Sequence, residues 1–335
     1  MSEERKENIQ TGNPLGEASV ASLMVKFAVP SIIAMLVSAL YNIVDQLFIG
    51  QAVGTLGNAA TNVAFPLTTS CIALALMFGI GGASCFNLNM GGGHKDRAVY
   101  FVGNAIICLI GSGVILFLIA ELFLTPLLTG FGAPENVLPY AQTYVRITAI
   151  GFPFLILTTG GCHLIRADGS PTYSMICNIA GALINTVLDP ILIFACDMGV
   201  RGAALATIIS QTVSAVWVVR FLMSEKSMIR LQKKYIRFNK KMICKIGALG
   251  VSPFIMQSTE SLVLITLNSG LKNYGGDLHV GAMSILTSVM QLISIPVQGM
   301  NQGIQPIISY NYGAGNKKRV TGTFKIMIAA ALTIS

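Results

Sequence analysis

Asn89-Met-Gly-Gly-Gly-His-Lys-Asp-Arg97 returns later in the chain as Asn311-Tyr-Gly-Ala-Gly-Asn-Lys-Lys-Arg319. Asparagine, two glycines, lysine and the closing arginine keep their places in both copies, so a single offset carries Asn89 to Asn311 and Arg97 to Arg319. Upstream, Pro30 and Pro253 each sit early in the first apolar run of a half, and the same offset with one position added relates them. Agreement at two places with so small a drift points to an internal duplication. Six apolar runs separate equivalent positions, an even number, so both halves would cross a bilayer in the same sense. That predicts a parallel repeat about an axis along the membrane normal.

A membrane helix needs ~20 mostly apolar residues to cross ~30 Å of hydrocarbon. Such runs lie near 23–49, 58–88, 97–128, 137–162, 171–196, 201–223, 243–270 and 280–310, and another begins near 320. The organisation expected is a cytoplasmic tail over 1–22 and a complete six-helix first lobe over 23–223. A basic cytoplasmic linker follows over 224–242, then a partial second lobe over 243–335 with about two and a half to three helices. Matching the first half would take ~110 further residues, so the chain reads as C-terminally truncated. Lys and Arg gather in alternate connections: Arg5, Lys6 and Lys26; Lys95 and Arg97; Arg166; the linker; then Lys317, Lys318 and Arg319. The connections between hold only Arg201 and Lys272, which places the N-terminus in the cytoplasm of a cell-membrane, multi-pass protein.

Composition agrees. Hydrophobic residues are 53% of 335 and charged ones 11%, against ~25% charge in soluble domains, and mean hydropathy is +0.69. The net charge of +8 does not signal nucleic acid, because the basic residues flank apolar runs and form no stripe with interleaved aromatics. The densest group, Arg230, Lys233, Lys234, Arg237, Lys240, Lys241 and Lys245, reads as an orienting loop. Seven scattered cysteines, without a CxxC pair, suggest neither disulfides nor a metal site. The first run is too long for a signal peptide and reads as a retained span.

Ionisable groups at the bilayer centre cost ~2.5–3.5 kcal/mol and usually face an interior cavity. Four fall in apolar runs: Asp45, Arg146, Asp189 and Glu260. Tyr41 and Asp45, Asn185 and Asp189, and Ala203 and Thr207 are each four apart, so each pair shares a helix face. Converging, they would offer two carboxylates, an amide, two hydroxyls and a backbone carbonyl, a hard-oxygen set suited to a proton or alkali cation. Two carboxylates in one dry site cannot both ionise easily, so a bound cation would be held between them. The plainer alternatives are that Asp45 is solvated near the end of its helix and that Asp189 braces Pro190. Glu260 lies deeper and reads as a cavity residue. Arg146 is either a counter-charge to one of the acids or a snorkelling side chain. Met290, with Met283 and Met300, is core filler or the flexible lining of a pocket for apolar cations, and Gln291 is assigned to the same cavity. No G-x-x-x-x-G-K-[ST] occurs, so the chain carries no ATPase motif of that kind.

These residues resemble the multidrug and toxic-compound extrusion (MATE) transporters. The matching stretches are Asn13-Pro-Leu-Gly16, Pro30 through Tyr41-Asn-Ile-Val-Asp45 to Gly50, and Arg166-Ala-Asp-Gly-Ser-Pro171. The most specific is Asn185-Thr-Val-Leu-Asp-Pro190 followed by Gly199-Val-Arg-Gly-Ala-Ala-Leu-Ala-Thr207 and Ser210-Gln211. The resemblance implies an all-α polytopic membrane protein of two six-helix lobes around a central cavity, here with a partial second lobe. It implies a monomeric antiporter exporting organic cations and amphiphilic drugs in exchange for H⁺ or Na⁺, with no other cofactor. It also implies a cation site of Asp45, Asn185, Asp189, the Ala203 carbonyl and Thr207, with Tyr41 beside it, and Glu260 as the acid of the seventh helix. A flippase of related fold for lipid-linked precursors is the alternative, disfavoured because the first lobe's spans clearly offer only Arg146 as a basic group. An enzyme is not expected, since His94, His163 and His279 lie near predicted loops and in no catalytic motif.

Overall fold

The computed structural model describes residues 13–334. The side chains of 55 and 334 lie outside that description, as do those of 261, 264–265, 268–285, 287–289 and 291–293 within the helix over 240–313. The described residues form helices joined by turns and short loops. In order come α1 (Pro14–Glu17), α2 (Val20–Val53), α3 (Thr55–Gly91), α4 (Lys95–Leu122), α5 (Leu124–Gly130), α6 (Leu138–Ile150) and α7 (Phe152–Ala167). Then follow α8 (Pro171–Pro190), a π-helical turn (Ile191–Ala195), α9 (Val200–Met223), a 3₁₀ turn (Lys233–Tyr235), α10 (Lys240–Gly313) and α11 (Lys317–Ile334). Among the described residues, five helices are long and apolar enough to cross a membrane, and six with the pair α6–α7, which bends by 55°. The bend falls at Gly151, where Pro153 in the first turn of α7 has no N–H to continue α6.

Local chemistry sets the breaks. Asn13 caps α1 through Leu15 N–H, with Pro14 at the first helical position. Gly54 alone separates α2 from α3, with φ of 72°, a conformation that a side chain disfavours. The repeated loop uses its glycines identically: Gly93 and Gly315 have φ of 79° and 74°. Asn89 and Asn311 donate from Nδ2 to the carbonyls of Cys85 and Ile307, at 2.7 and 2.8 Å. Those partners are related by the same offset as the loop itself, so the duplication extends to hydrogen bonds.

The first half packs through small residues, as helices in lipid must when no hydrophobic drive pulls them together. A Cβ at Gly79 would stand 2.6 Å from Gly160 Cα, and one at Gly113 would stand 2.5 Å from Pro153 Cα. Leucines and isoleucines such as Leu40, Ile43, Leu47 and Ile115 remain exposed, as lipid-facing side chains would be.

The sequence predicts two spans between 243 and 310, and a single stretch of helical backbone, α10, covers both. The segment doubles back. Ile246 packs on Gly81 and Tyr310 on Gly91, ten residues apart on α3 and so ~15 Å, while straight helix from 246 to 310 would cover ~96 Å. Its two arms therefore run beside the same part of α3.

The arms meet the first half at a seam of glycines. Cβ atoms at Gly81, Gly91, Gly250 and Gly313 would fall on the carbonyls of Ile246, Tyr310, Met77 and Leu88. Gly299 and Gly303 press likewise on the backbone of Ile32 and Ala28. Gln305 donates to Ile80 O and Ser84 Oγ across the seam, at 3.1 and 2.8 Å. Among the described residues these approaches lie in the half of the bundle near the repeated loops and the linker, here the basic end. There α1 docks on the second half: Arg319 donates to the carbonyls of Leu15 and Ala18, and Asn311 also donates to Leu15 O.

Candidate functional site

Asp45 on α2 and Asp189 on α8 meet inside the first half. The two helices pack side by side, and each carboxyl group lies within electrostatic reach of the other. Asp189 is fully buried, Asn185 is 2% exposed and Asp45 9%. Asn185 Nδ2 donates to Asp189 Oδ1 at 3.4 Å, one helical turn along α8. Pro190 closes α8 just after Asp189, and the backbone continues as the π turn. Neither acid is solvated at a helix end, so the plainer reading of Asp45 fails on its burial.

Three buried oxygens here accept no hydrogen bond: Asp45 Oδ1, Asp189 Oδ2 and Asn185 Oδ1. Buried acceptors are nearly always paired, so three on two packed helices leave a demand for a donor or a positive charge. Tyr41 lies within electrostatic reach of both acids. So does Tyr144 of α6, which also senses Tyr41; the sequence reading missed it, because a tyrosine in an apolar run carries no signal of its own. Thr207 is on α9, and its hydroxyl donates to Ala203 O at 3.0 Å. The Ala203 carbonyl is thus already engaged, and Ala203 itself packs with Ile49 and Ile193 in a small apolar cluster.

The residues assigned to a substrate cavity do not join this group. Arg146 is 70% exposed and its Nε stands 3.8 Å from Glu121 Oε2 on α4, so it is no counter-charge to the aspartates. Glu260 is exposed on α10, Met290 is 65% exposed, and the side chain of Gln291 lies outside the described residues. His163 lies in α7 four residues before its end and is buried, and Arg166 in the last turn is buried beside it. Arg166 donates to Ser174 Oγ at 3.3 Å, and its Nη2 lies 3.0 Å from His163 Nδ1. Its charge has neighbours that a count of loop residues cannot see.

The MatE family profile matches residues 30–191 and again 253–335. This chain belongs to the MatE family. The two matches start at Pro30 and Pro253, the prolines that mark the repeat. Among curated relatives, the multidrug export protein MepA of Staphylococcus aureus is 28% identical over 93% of this chain and 69% of its own length. The protein of the same name from Staphylococcus haemolyticus is 27% identical over 95% and 70%. The solved MATE multidrug transporter DinF-BH is 33% identical with a TM-score of 0.87, covering 94% of this chain and 70% of that one. A MOP superfamily transporter from Pyrococcus furiosus shares the fold at 24% identity and TM-score 0.90, over 97% and 72%. The MatE fold is thus present along almost the whole chain, and the carboxylate pair lies in the first of its two matched stretches.

Proposed function

We propose that this protein is a secondary antiporter that exports cationic or amphiphilic compounds in exchange for H⁺ or Na⁺. The supporting observation is the trio of buried, unpartnered oxygens at Asp45, Asn185 and Asp189 on two helices that pack together. Two buried carboxylates without a cation are costly, and a proton or alkali ion between them relieves that cost. Binding a cation pulls α2 and α8 together, so it stabilises one arrangement of the helices over another, which is what coupling requires. For a metal ion, Thr207 would turn its hydroxyl away from Ala203 O and present both oxygens. The basic end faces the cytoplasm in this reading, and the substrate cavity lies between the halves, flanked by Glu260 and Met290. Relatives named for multidrug export support the substrate class.

Proteoliposomes with ΔpH and a Na⁺ gradient imposed separately test it, with ethidium efflux as the readout. One of the two gradients should drive efflux, and Asp189→Asn should reduce it at least tenfold at equal protein level. Undiminished efflux by that variant ends the proposal.

A further inference from the structure

At the end of the first half remote from the basic end lies a cavity of about 320 Å³, lined by Val53, Tyr140, Thr143, Asp197, Gly199 and Arg201 among others. Its lining repeats the faces that build the carboxylate site. On α2, Asp45, Ile49 and Val53 follow at four-residue spacing, as do Tyr144 and Tyr140 on α6. Thr207 and Ala203 do the same on α9 with Gly199 at its N-cap, while Asp189 precedes the π turn, Ile193 lies within it and Asp197 follows it. On the regular α-helices such residues share one face, a turn of ~5.4 Å apart.

The middle member from three of these columns forms a single cluster: Ile49, Ile193 and Ala203, with exposures of 0–2%. A Cβ at Gly199 would touch Val53 Cγ2 at 3.3 Å, so α2 and α9 close together at the cavity floor. Along α2 and α9 the cavity and the carboxylate level are therefore separated by one apolar layer, over two helical turns or ~11 Å, and along α6 by a single turn. Asp197 is exposed at the rim with φ of 53°, a backbone state that side chains disfavour and that functional positions often hold. Arg201 stands beside it, so the rim carries both signs.

We infer that the coupling cation reaches Asp45 and Asp189 from the face opposite the basic end through the first half itself, by this vestibule and across the Ile49–Ile193–Ala203 plug. The space between the halves is left to the substrate. The inference rests on the antiporter reading. Its physical content is separate traffic: a small hydrated cation crosses one dewetted layer, which an organic cation is too large to enter. π-Helical turns cluster at functional sites, and the one at Ile191–Ala195 carries Ile193, the α8-side member of the plug.

The test uses Thr143→Cys in a background with the exposed Cys196 and Cys244 changed to serine. A bulky, impermeant cationic methanethiosulfonate is added from the vestibule side, and each sample is compared before and after labelling. Gradient-driven efflux should fall about tenfold, while ethidium affinity without a gradient stays unchanged. Ile49→Thr, which shortens the side chain by its terminal methyl and adds a hydroxyl to the plug, should speed cation uptake severalfold. Complete labelling that leaves gradient-driven efflux intact overturns the route. An equal loss of ethidium binding overturns it too, because the vestibule then belongs to the substrate cavity. If no gradient drives efflux before labelling, the antiporter reading falls and takes the route with it.

Discussion

The glycine seam yields a prediction whose size follows from geometry. A methyl group at position 91 would lie 2.0 Å from Tyr310 O, and one at 313 would lie 2.1 Å from Leu88 O. Non-bonded carbons rest at ~3.5–4.0 Å, so either substitution forces the helices apart by about 1.4 Å or more at that point. The opposing atoms are helix backbone and cannot rotate aside. Overpacking of this kind costs ~1–3 kcal/mol, and only in the arrangement with the basic end closed. It should shift the balance toward an arrangement open at that end by roughly 5–150-fold. Spin labels at Lys95 and Lys317, both exposed and related by the repeat, would report the distance across the seam by pulsed dipolar spectroscopy. Gly91→Ala and Gly313→Ala should each move the distribution to longer separations, and by similar amounts, because the two contacts are images of each other. Gly111→Ala, where a Cβ meets nothing within 4 Å, should leave it unchanged. A distribution unmoved by both seam variants refutes the argument, and so does a shift caused by Gly111→Ala.

Arg319→Ala should free α1 from the second half, since Arg319 contacts two of its carbonyls; amide exchange at Leu15–Ala18 should rise by one to two orders of magnitude, as expected for ~1.5–3 kcal/mol of charged hydrogen bonding. Asp168, just beyond the end of α7, is buried, and burial pushes its carboxyl up from 3.8 to about 7 even though Ile229 N–H and Ser227 Oγ donate to it. Its folded form therefore holds a proton that the unfolded chain releases, so its contribution is complete below pH ~4 and is lost as pH rises through ~7, at about 1.4 kcal/mol per unit. Melting curves across that range should flatten in Asp168→Asn, and an unchanged pH dependence would rule the residue out.

Much of this was legible in the sequence, and the reason is solvation. Lipid forbids charge, so Asp45, Asp189 and Asn185 stand out from an apolar background, and four-residue spacing already placed Asn185 with Asp189. What escaped was whatever hydropathy does not weigh. Tyr144 reaches the acids from another helix, and nothing in its own neighbourhood marks it. Ile49 and Ile193 look like any core isoleucine until their offset from each acid is set against the contact they make. Arg166 was counted as a loop charge because a tally of Lys and Arg records the charge and not its hydrogen-bond partners. Glu260 and Arg146 show the converse, charges in apolar runs whose side chains end exposed.

The duplication has a mechanical consequence. The seam is self-complementary: Gly91 sits on Tyr310 as Gly313 sits on Leu88, the reciprocity of a two-fold interface. The carboxylate pair is not duplicated in this way. The repeat offset carries Asp45 to Leu267, or to Asn268 with the extra position that relates the prolines, and neither is acidic. In the proposed antiporter an off-axis charge site, Asp45 having no acidic image, would act on a symmetric joint. The helix that joins them is α2, which carries Asp45 toward one end and, near Pro30, the backbone of Ala28 and Ile32 pressed by Gly303 and Gly299 at the other. In the proposed antiporter a cation that draws Asp45 toward Asp189 would tilt α2, and the proline that interrupts its hydrogen bonding lies within the seam, where a bend costs least. One binding event at the aspartates would then load both images of the joint.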